Sequence, residues 1–528
     1  MTPRPEVGAH GASEEKRAAP ARVRLAAIGL YLAPVLLSAV AYRAVVGVAF
    51  HADDYLHLYD IVNLGPGPFC LTNFGGHLQF ARNVVYVVLY AAFGPDPQAN
   101  MVVVLATHLL NVALLVWVGW RLTGSGAVAS VVGAWWGASA VNLETLAWLS
   151  VYGQVLAVAA VLWVVGRIAT VARGAALGRA APAACALALL VAATSFGTGL
   201  ATAVAMPAVA WLLLPASAAR RRLVRVLTLT AGALVVLYVV ADRFNVWWFG
   251  TPSATYVVPF LGDHVPTVVR FFAQLVMNGT AVALWGPFFP PLQALGAWTT
   301  PLACAVALAL LVLARPPGRA VLACLLLSLA PYAAIAQARF LMAIDHPAES
   351  ALALRYHYAP PLGIALALAL AAAALLDRLP ARWRPRALCL AAGYAAALAG
   401  YVCVFPPVPQ QEAAQREVDR ALARIDAAIQ ASPPGADVYL RHQPFFVSDV
   451  TSLAVGDAVL PVPPGRFPGV AALFALFHDG NVVDGRRVFF VVDDPARLES
   501  WRRGRRGAAM LVSPDEMRAR GGSLAPPG

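Results

Sequence analysis

Residues 50–58 read FHADDYLHL and place two adjacent carboxylates, Asp53 and Asp54, directly after the first long apolar run of the chain. That run, residues 25–46, has the length of about 20 apolar residues that crossing a bilayer requires. An ionised carboxylate within the hydrocarbon costs about 3 kcal/mol on insertion scales. The acidic pair therefore has to lie in water or in a polar pocket at the membrane surface, and the fold is organised around that boundary.

The composition of the whole chain is that of a polytopic membrane protein. Of its 528 residues, 60% are hydrophobic and 12% are charged, whereas soluble domains carry about 25% charged residues. The net charge of +12 does not indicate nucleic-acid binding, because the arginines lie in short blocks between apolar runs and in the last segment. This distribution is the one that the positive-inside rule describes for cytoplasmic loops.

The charge pattern also predicts a topology. Arg22 and Arg24 hold the N-terminus in the cytoplasm, so the acidic pair emerges on the outer side. The first run has no convincing cleavage site and is expected to remain as a span. Residues 1–21 are expected to be a disordered cytoplasmic segment, and residues 22–405 a transmembrane domain with about eleven spans. The predicted spans are residues 25–46, 101–120, 127–141, 146–165, 183–196, 200–214, 226–240, 297–314, 320–336, 361–376 and 387–405.

Two further apolar segments are predicted to lie along the outer face as interfacial or re-entrant helices. Residues 84–93 are too short to span, and residues 268–285 are interrupted by Arg270, Gln274 and Asn278. If the second segment crossed, the arginine-rich loops that follow it would be outside, against the charge rule. Residues 406–528 are predicted to form a small extracytoplasmic α/β domain, with helices at 412–429 and 467–477 and strands at 437–440 and 487–492.

The strongly polar loop clusters all fall on the predicted outer side. They are the acidic pair, Glu144, and the loop of residues 339–358. A transporter would be expected to carry polar residues near the bilayer midplane and internal repeats, and neither is evident here. The six cysteines are scattered without metal-ligand spacing, which is typical of small buried hydrophobic residues.

Four stretches in this order resemble the GT-C class of glycosyltransferases, in particular its protein-O-mannosyltransferase-like branch and bacterial relatives. They are residues 50–55, HLLN at 108–111 running to RLTG at 121–124, NLETLAWLS at 142–150 with YGQ at 152–154, and RYHYAP at 355–360. The resemblance covers residues 25–405 and implies a GT-C-like fold and transfer of a sugar from a polyprenyl-phosphate carrier. The turn SFGTG at 195–199 departs from it by lacking a Lys-Glu pair that some relatives have.

The resemblance implies that a first-loop acid is the catalytic base, and Asp53 is the best candidate. Asp54 would orient the acceptor, hold a divalent cation such as Mg²⁺ or Mn²⁺, or exchange roles with Asp53. Glu144 would line the same site and is the second candidate metal ligand. A carboxylate suits this role because it can take the proton of the acceptor hydroxyl during displacement at the anomeric carbon.

The anionic leaving phosphate calls for a cation at the membrane surface, and a guanidinium binds phosphate oxygens bidentately. Arg355 is the best candidate, with Arg339, His357 and Tyr358 as further substrate-binding residues. The expected partners are a polyprenyl-phosphate-linked sugar, membrane lipid, and a glycan, lipid or protein acceptor. The expected location is the cytoplasmic membrane, with the N-terminus inside and the C-terminus outside.

Simpler interpretations remain open at this point. The acidic pair and Glu144 could be solvated loop residues, and Arg355 could reach toward lipid headgroups. The chain could instead be a transporter or flippase for a lipid-linked envelope precursor, or a membrane scaffold that displays its C-terminal domain. His51, His57 and His108 are interpreted as structural or interfacial residues.

Overall fold

The computed structural model describes residues 28–50, 53–249, 262, 264–286, 298–344, 346–404, 409–441, 452–455, 458–461, 474, 481–502 and 510–524. The predicted N-terminal segment, His51, Asp345 and most of the predicted helix at 467–477 lie outside these residues. The fold is polytopic and helical with a small sheet, as predicted. Within the described residues, seven helices are long and apolar enough to cross a membrane.

The helices follow the predicted spans with shifted ends. In chain order they are α1 Ile28–Ala41, α2 Asp53–Leu64, α3 Pro66–Cys70, α4 Phe80–Phe93, α5 Pro97–Thr123, α6 Gly126–Gly137, α7 Asn142–Leu146, α8 Tyr152–Ala172, α9 Ala181–Ala193, α10 Gly197–Leu213, α11 Ala218–Phe249, α12 Val265–Trp285, α13 Thr299–Ala314, α14 Gly318–Arg339, α15 Pro347–Ser350, α16 Pro361–Arg378, α17 Arg384–Val404, α18 Pro409–Ala431, α19 Pro495–Arg502 and α20 Pro514–Ala519. Helix α4 covers the first predicted interfacial segment.

The two ends of the helical bundle differ in chemistry. At one end, arginines bond to backbone carbonyls of neighbouring helices: Arg319 donates to Trp211 O at 3.0 Å and Arg378 to Leu313 O at 2.6 Å. We call this the arginine end. The opposite end, called the site end, holds α2, α7 and the segment between α14 and α16. The predicted polar clusters therefore lie together at the site end.

Helix α12, which is predicted to lie along the outer face, also has the length and hydropathy to cross a membrane. Its start and middle meet the segment between α14 and α16, and its end meets both the start of α13 and Tyr394 in the middle of α17. The ring of His264 lies 5.9 Å from that of Phe340, Asn278 donates to Ala351 O at 3.0 Å, and Trp285 donates to Thr299 O at 3.4 Å. The number of spans remains a prediction.

Small residues let the helices of the bundle approach closely. A Cβ on Gly153 of α8 would lie 2.2 Å from Ser195 O, and one on Gly363 of α16 would lie 2.1 Å from Cys324 O of α14. Packing on glycine is common between membrane helices, where backbones gain contact by coming close. The turn between α9 and α10 is thereby fixed against the start of α8, at the site end.

The C-terminal region contains the strands expected at 437–440 and 487–492, as β1 Asp437–Arg441 and β5 Arg486–Val491, paired in parallel. Short strands β4 Val482–Val483 and β6 Leu511–Val512 flank β5, and β2 Ser452–Val455 pairs separately with β3 Ala458–Pro461. Tyr59 of α2, only 1% exposed, belongs to the apolar cluster of this region together with Ile425 and Phe490. Helix α2 therefore packs on the C-terminal region as well as on the bundle.

Candidate functional site

The segment that joins α6 to α8 organises the site end. It contains α7 and a 3₁₀ turn, Leu149–Val151. Asn142 anchors its start, since its side-chain amide donates to Trp136 O at 2.7 Å and to the Tyr42 hydroxyl at 3.2 Å. The segment is thereby held against α1 and α6, and its remaining polar residues are presented to α2 and to the loop before α16.

Asp54 is held rigidly by this segment. Its side chain is fully buried, and its Oδ1 accepts hydrogen bonds from the backbone N–H and the hydroxyl of Ser150, both at 2.7 Å. Asp53 precedes it in the first turn of α2 and is half-buried. The N-terminus of a helix favours negative charge, so both carboxylates are well placed as anions. Asp53 is the member of the pair that is more open to a substrate.

Arg82 lies beside the acidic pair and was not singled out from the sequence. It is 1% exposed and donates to Asn83 Oδ1 at 2.7 and 3.1 Å and to Ser150 O at 3.1 Å. Its guanidinium also lies 3.3 Å from His57 Nε2 and 4.6 Å from the centre of the Tyr86 ring. Burial raises the pKa of Tyr86, Arg82 lowers it, and the charges of both aspartates raise it. One buried cation thus shares its surroundings with two carboxylates.

Arg339 extends this cationic region. Its guanidinium lies 3.2 Å from Nε2 of His77, whose ring stacks on Phe196 with centroids 4.1 Å apart. Burial holds the pKa of His77 well below its usual value, and the positive charges of Arg339 and Arg82 lower it further. His77 is therefore neutral near pH 7, and the Arg339 side chain beside it is half-buried.

Glu144 and Arg355, two predicted site residues 211 positions apart, meet in an ion pair. Arg355 Nη1 lies 2.5 Å from Glu144 Oε1, and the backbone N–H of Arg355 donates to Oε2 at 3.0 Å. The side chains are 22% and 35% exposed respectively. The guanidinium also lies 5.7 Å from the centre of the Trp148 ring. The pair is accessible, and it shares the segment 142–151 with the Ser150–Asp54 contact.

His357 and Tyr358, predicted to bind substrate, lie fully buried. His357 Nδ1 is 2.8 Å from the Tyr332 hydroxyl and its Nε2 is 2.8 Å from Ala351 O. The hydroxyl of Tyr358 lies 2.9 Å from His108 Nδ1 and accepts from the Asn111 amide at 3.1 Å. These positions favour a structural role, because every polar atom named has a partner within the protein. The sequence pattern could not separate them from their neighbour Arg355.

We expect the stability of the protein to fall at acidic pH because of His357. Burial lowers its pKa to about 4, against the opposing effects of the Ala351 carbonyl and of Glu144, whereas an unfolded histidine titrates at about 6.5. The unfolded state therefore binds the proton first, and stability is lost as the pH falls below about 6.5. The loss reaches about 2 kcal/mol by pH 5.

Thermal unfolding of the purified protein in detergent at pH 7.5 and pH 5 measures this effect. The His357→Gln variant should lose less stability between the two pH values than the wild type does. His346→Gln is the matched control, because His346 is exposed and its replacement should change nothing. An unaltered pH dependence in His357→Gln would contradict the expectation.

The two candidate metal ligands have separate partners. Glu144 is bound to Arg355, and Asp54 accepts from Ser150. Within the residues that the structure describes, no group of three or more His, Cys, Asp or Glu side chains could hold a metal ion. The geometry supports charge stabilisation by arginines, and a divalent cation at this site remains a prediction.

Comparison with known proteins gives one structural likeness. No protein-family model matches the chain, and no curated protein matches it. Among solved structures, the crystal structure of ArnT from Cupriavidus metallidurans bound to undecaprenyl phosphate is similar to it. The sequence identity is 14% and the TM-score is 0.43, over 94% of this chain and 95% of that chain.

Proposed function

We propose that this chain is a glycosyltransferase of the GT-C type that moves a sugar from a polyprenyl-phosphate carrier to an acceptor at the outer face of the cytoplasmic membrane. The observation that carries the proposal is the segment 142–151. It ties Asp54 through Ser150 and Arg355 through Glu144 at one end of an apolar bundle. Carboxylates and reachable guanidinium groups at a membrane surface are the two kinds of group that this transfer requires.

Asp53 acts as the base in this mechanism. Its carboxylate takes the proton of the acceptor hydroxyl while the acceptor oxygen attacks the anomeric carbon, as in inverting sugar chemistry. The bond from the anomeric carbon to the phosphate oxygen breaks, and its electron pair leaves with the phosphate. Asp54, fixed by Ser150, orients its neighbour and the acceptor rather than exchanging protons.

Arg355 and Arg339 stabilise the leaving phosphate. Both are partly exposed at the site end, and a guanidinium offers two parallel N–H donors to phosphate oxygens. Arg82 is buried, so its positive charge acts on the acidic pair and not on the phosphate. Glu144 holds Arg355 in place, so that the guanidinium is oriented before the carrier arrives, which lowers the ordering cost of binding.

Mass spectrometry of lipid-linked sugars and envelope glycans in cells lacking the protein tests the proposal. One sugar should disappear from an envelope glycan, lipid or protein while its polyprenyl-phosphate form accumulates, and the wild-type gene should restore both. A transporter predicts instead that a complete precursor accumulates on the inner side and that uptake into vesicles does not depend on Asp53. Unchanged glycans and unchanged lipid-linked sugars would overturn the proposal.

A further inference from the structure

A cavity of about 320 Å³ opens on the side of the helical bundle between α6, α16 and α17, with the end of α12 closing part of it. We call it the lateral groove. Along α16 it extends from Pro361 at the site end to Leu379 at the arginine end, which is about 27 Å at the helical rise per residue. It therefore runs nearly the full thickness of a bilayer's hydrocarbon core, about 30 Å.

The shape and lining of the groove fit a single hydrocarbon chain. Valine, leucine and alanine side chains make up most of its wall, for example Val132, Leu368 and Ala391. Spread over this length, the volume leaves a cross-section smaller than that of another helix, which with side chains is about 10–12 Å wide. Apolar surface in such a groove is covered by lipid when the protein lies in a membrane.

Two polar groups lie at the site end of this apolar groove. Ser139 is 3% exposed, and its hydroxyl and the indole N–H of Trp135 have no hydrogen-bond partner among the residues that the structure describes. Both residues line the groove. Leaving buried donors unpaired is costly, and a ligand with a polar head at this end would satisfy both. The groove therefore fits an amphiphile whose hydrocarbon chain lies along the apolar wall and whose polar head lies at the site end.

The polar end of the groove leads directly to the candidate site. The backbone N–H of Asn142 donates to Ser139 O at 3.0 Å, and Glu144 follows two residues later. Val141, which lies between Ser139 and Asn142, packs against Val282 of α12, and Val282 also lines the groove. Arg339, the other cation of the site, and the neutral His77 beside it lie on elements that do not line the groove. A lipid in the groove and a carrier phosphate at Arg339 would therefore approach from different sides.

We infer that the lateral groove binds the hydrocarbon chain of a lipid acceptor, whose polar head lies at Ser139 and Trp135 beside Glu144 and Arg355. This inference rests on the proposed function and names the class of its acceptor. The donor's phosphate and the acceptor's hydroxyl would then be brought to one site by two separate lipid chains.

Photolabelling of the purified full-length protein in phosphatidylcholine nanodiscs tests the inference. The probe is a long-chain alcohol that carries a diazirine in its chain, and labelled peptides are mapped by mass spectrometry. Label should concentrate in residues 361–379 and 387–391, and excess unlabelled alcohol should displace it. Displacement by added phosphatidylcholine alone, or label spread evenly over lipid-facing helices such as α11, would overturn the inference in favour of ordinary bilayer lipid.

Two adjacent alanines of α17 provide a matched pair of variants. Ala391 lines the groove, whereas Ala392 is exposed and does not. Ala391→Trp should reduce labelling about tenfold by displacing a few methylene groups, and Ala392→Trp should leave it unchanged. Ser139→Ala, a small change that keeps the fold, should also reduce labelling. Equal labelling in Ala391→Trp, Ser139→Ala and the wild type would contradict the inference.

The two proposals can fail separately. Asp53→Asn should label like the wild type, because Asp53 does not line the groove. If Ala391→Trp loses labelling but keeps transfer to a water-soluble acceptor, the lipid site stands and the lipid is not the acceptor. If transfer needs Asp53 and no labelling of the groove is found, the proposed function stands and the acceptor assignment fails.

Discussion

Asp53→Asn is expected to lose sugar transfer by a factor of about 10²–10⁴, the usual contribution of a positioned general base. The amide keeps the size of the side chain but cannot take the acceptor's proton. Asp53 is half-buried in the first turn of α2, so the variant should insert and fold normally. The measurement is transfer from a polyprenyl-phosphate sugar by purified protein, with thermal unfolding as a check on folding.

Two further Asp→Asn variants test whether the loss of transfer is specific to Asp53. In Asp54→Asn the new side-chain oxygen can still accept from Ser150, so its loss should be smaller than that of Asp53→Asn. Asp96 caps α5 by accepting from the backbone N–H of Gln98 at 2.8 Å, and asparagine caps equally well, so Asp96→Asn should be fully active. If Asp54→Asn were the more damaging change, the roles within the pair would be reversed.

Arg82→Met is expected to reduce both stability and transfer. Its removal leaves Asn83 Oδ1 and Ser150 O without their donor, and each unsatisfied buried acceptor costs about 1–3 kcal/mol. It also removes a buried positive charge from the surroundings that Arg82 shares with Asp53 and Asp54, which disfavours ionised carboxylates there. Thermal unfolding in detergent should show a lower midpoint. Transfer should be lost because Ser150, which Arg82 contacts, would no longer hold Asp54 in position.

The controls for Arg82→Met separate charge from geometry. Arg82→Lys keeps the positive charge but not the planar fork that reaches two acceptors at once, so its effect should be intermediate. Arg43→Met removes an exposed arginine that donates to Val40 O and to Cys403 Sγ, and it should behave like the wild type because neither partner belongs to the site. An Arg82→Met protein with wild-type stability would show that the buried contacts are not what holds the acidic pair.

Much of this arrangement could be predicted from the sequence, because lipid imposes a simple rule. Apolar runs of spanning length and blocks of arginine fix which loops share a face, and this was enough to expect Glu144 and Arg355 at one surface. The polar residues that interrupt α12 predict a placement along one face, and this stays a prediction because the helix also has the length and hydropathy to cross.

The rest could not be predicted because burial is a property of packing between distant segments. In the sequence Arg82 has no feature that sets it apart from the polar residues before it, yet in the fold it is enclosed by α2, α4 and the segment 142–151. His357 and Tyr358 looked as accessible as Arg355 beside them, yet their side chains turn into the core. Arg355 and His357 lie on a 3₁₀ turn, Leu354–His357, and Tyr358 directly follows it. Consecutive residues there point in different directions, and only the partners across the bundle decide which one faces water.

The place of Tyr59 matters to anyone who shortens this chain to ease its purification. A cut after α17 would keep every membrane helix and every acid and arginine of the site. It would also leave an aromatic ring, now 1% exposed within an apolar cluster, facing water on the very helix that begins with Asp53. An inactive truncated protein would then say nothing about whether the removed portion takes part in chemistry.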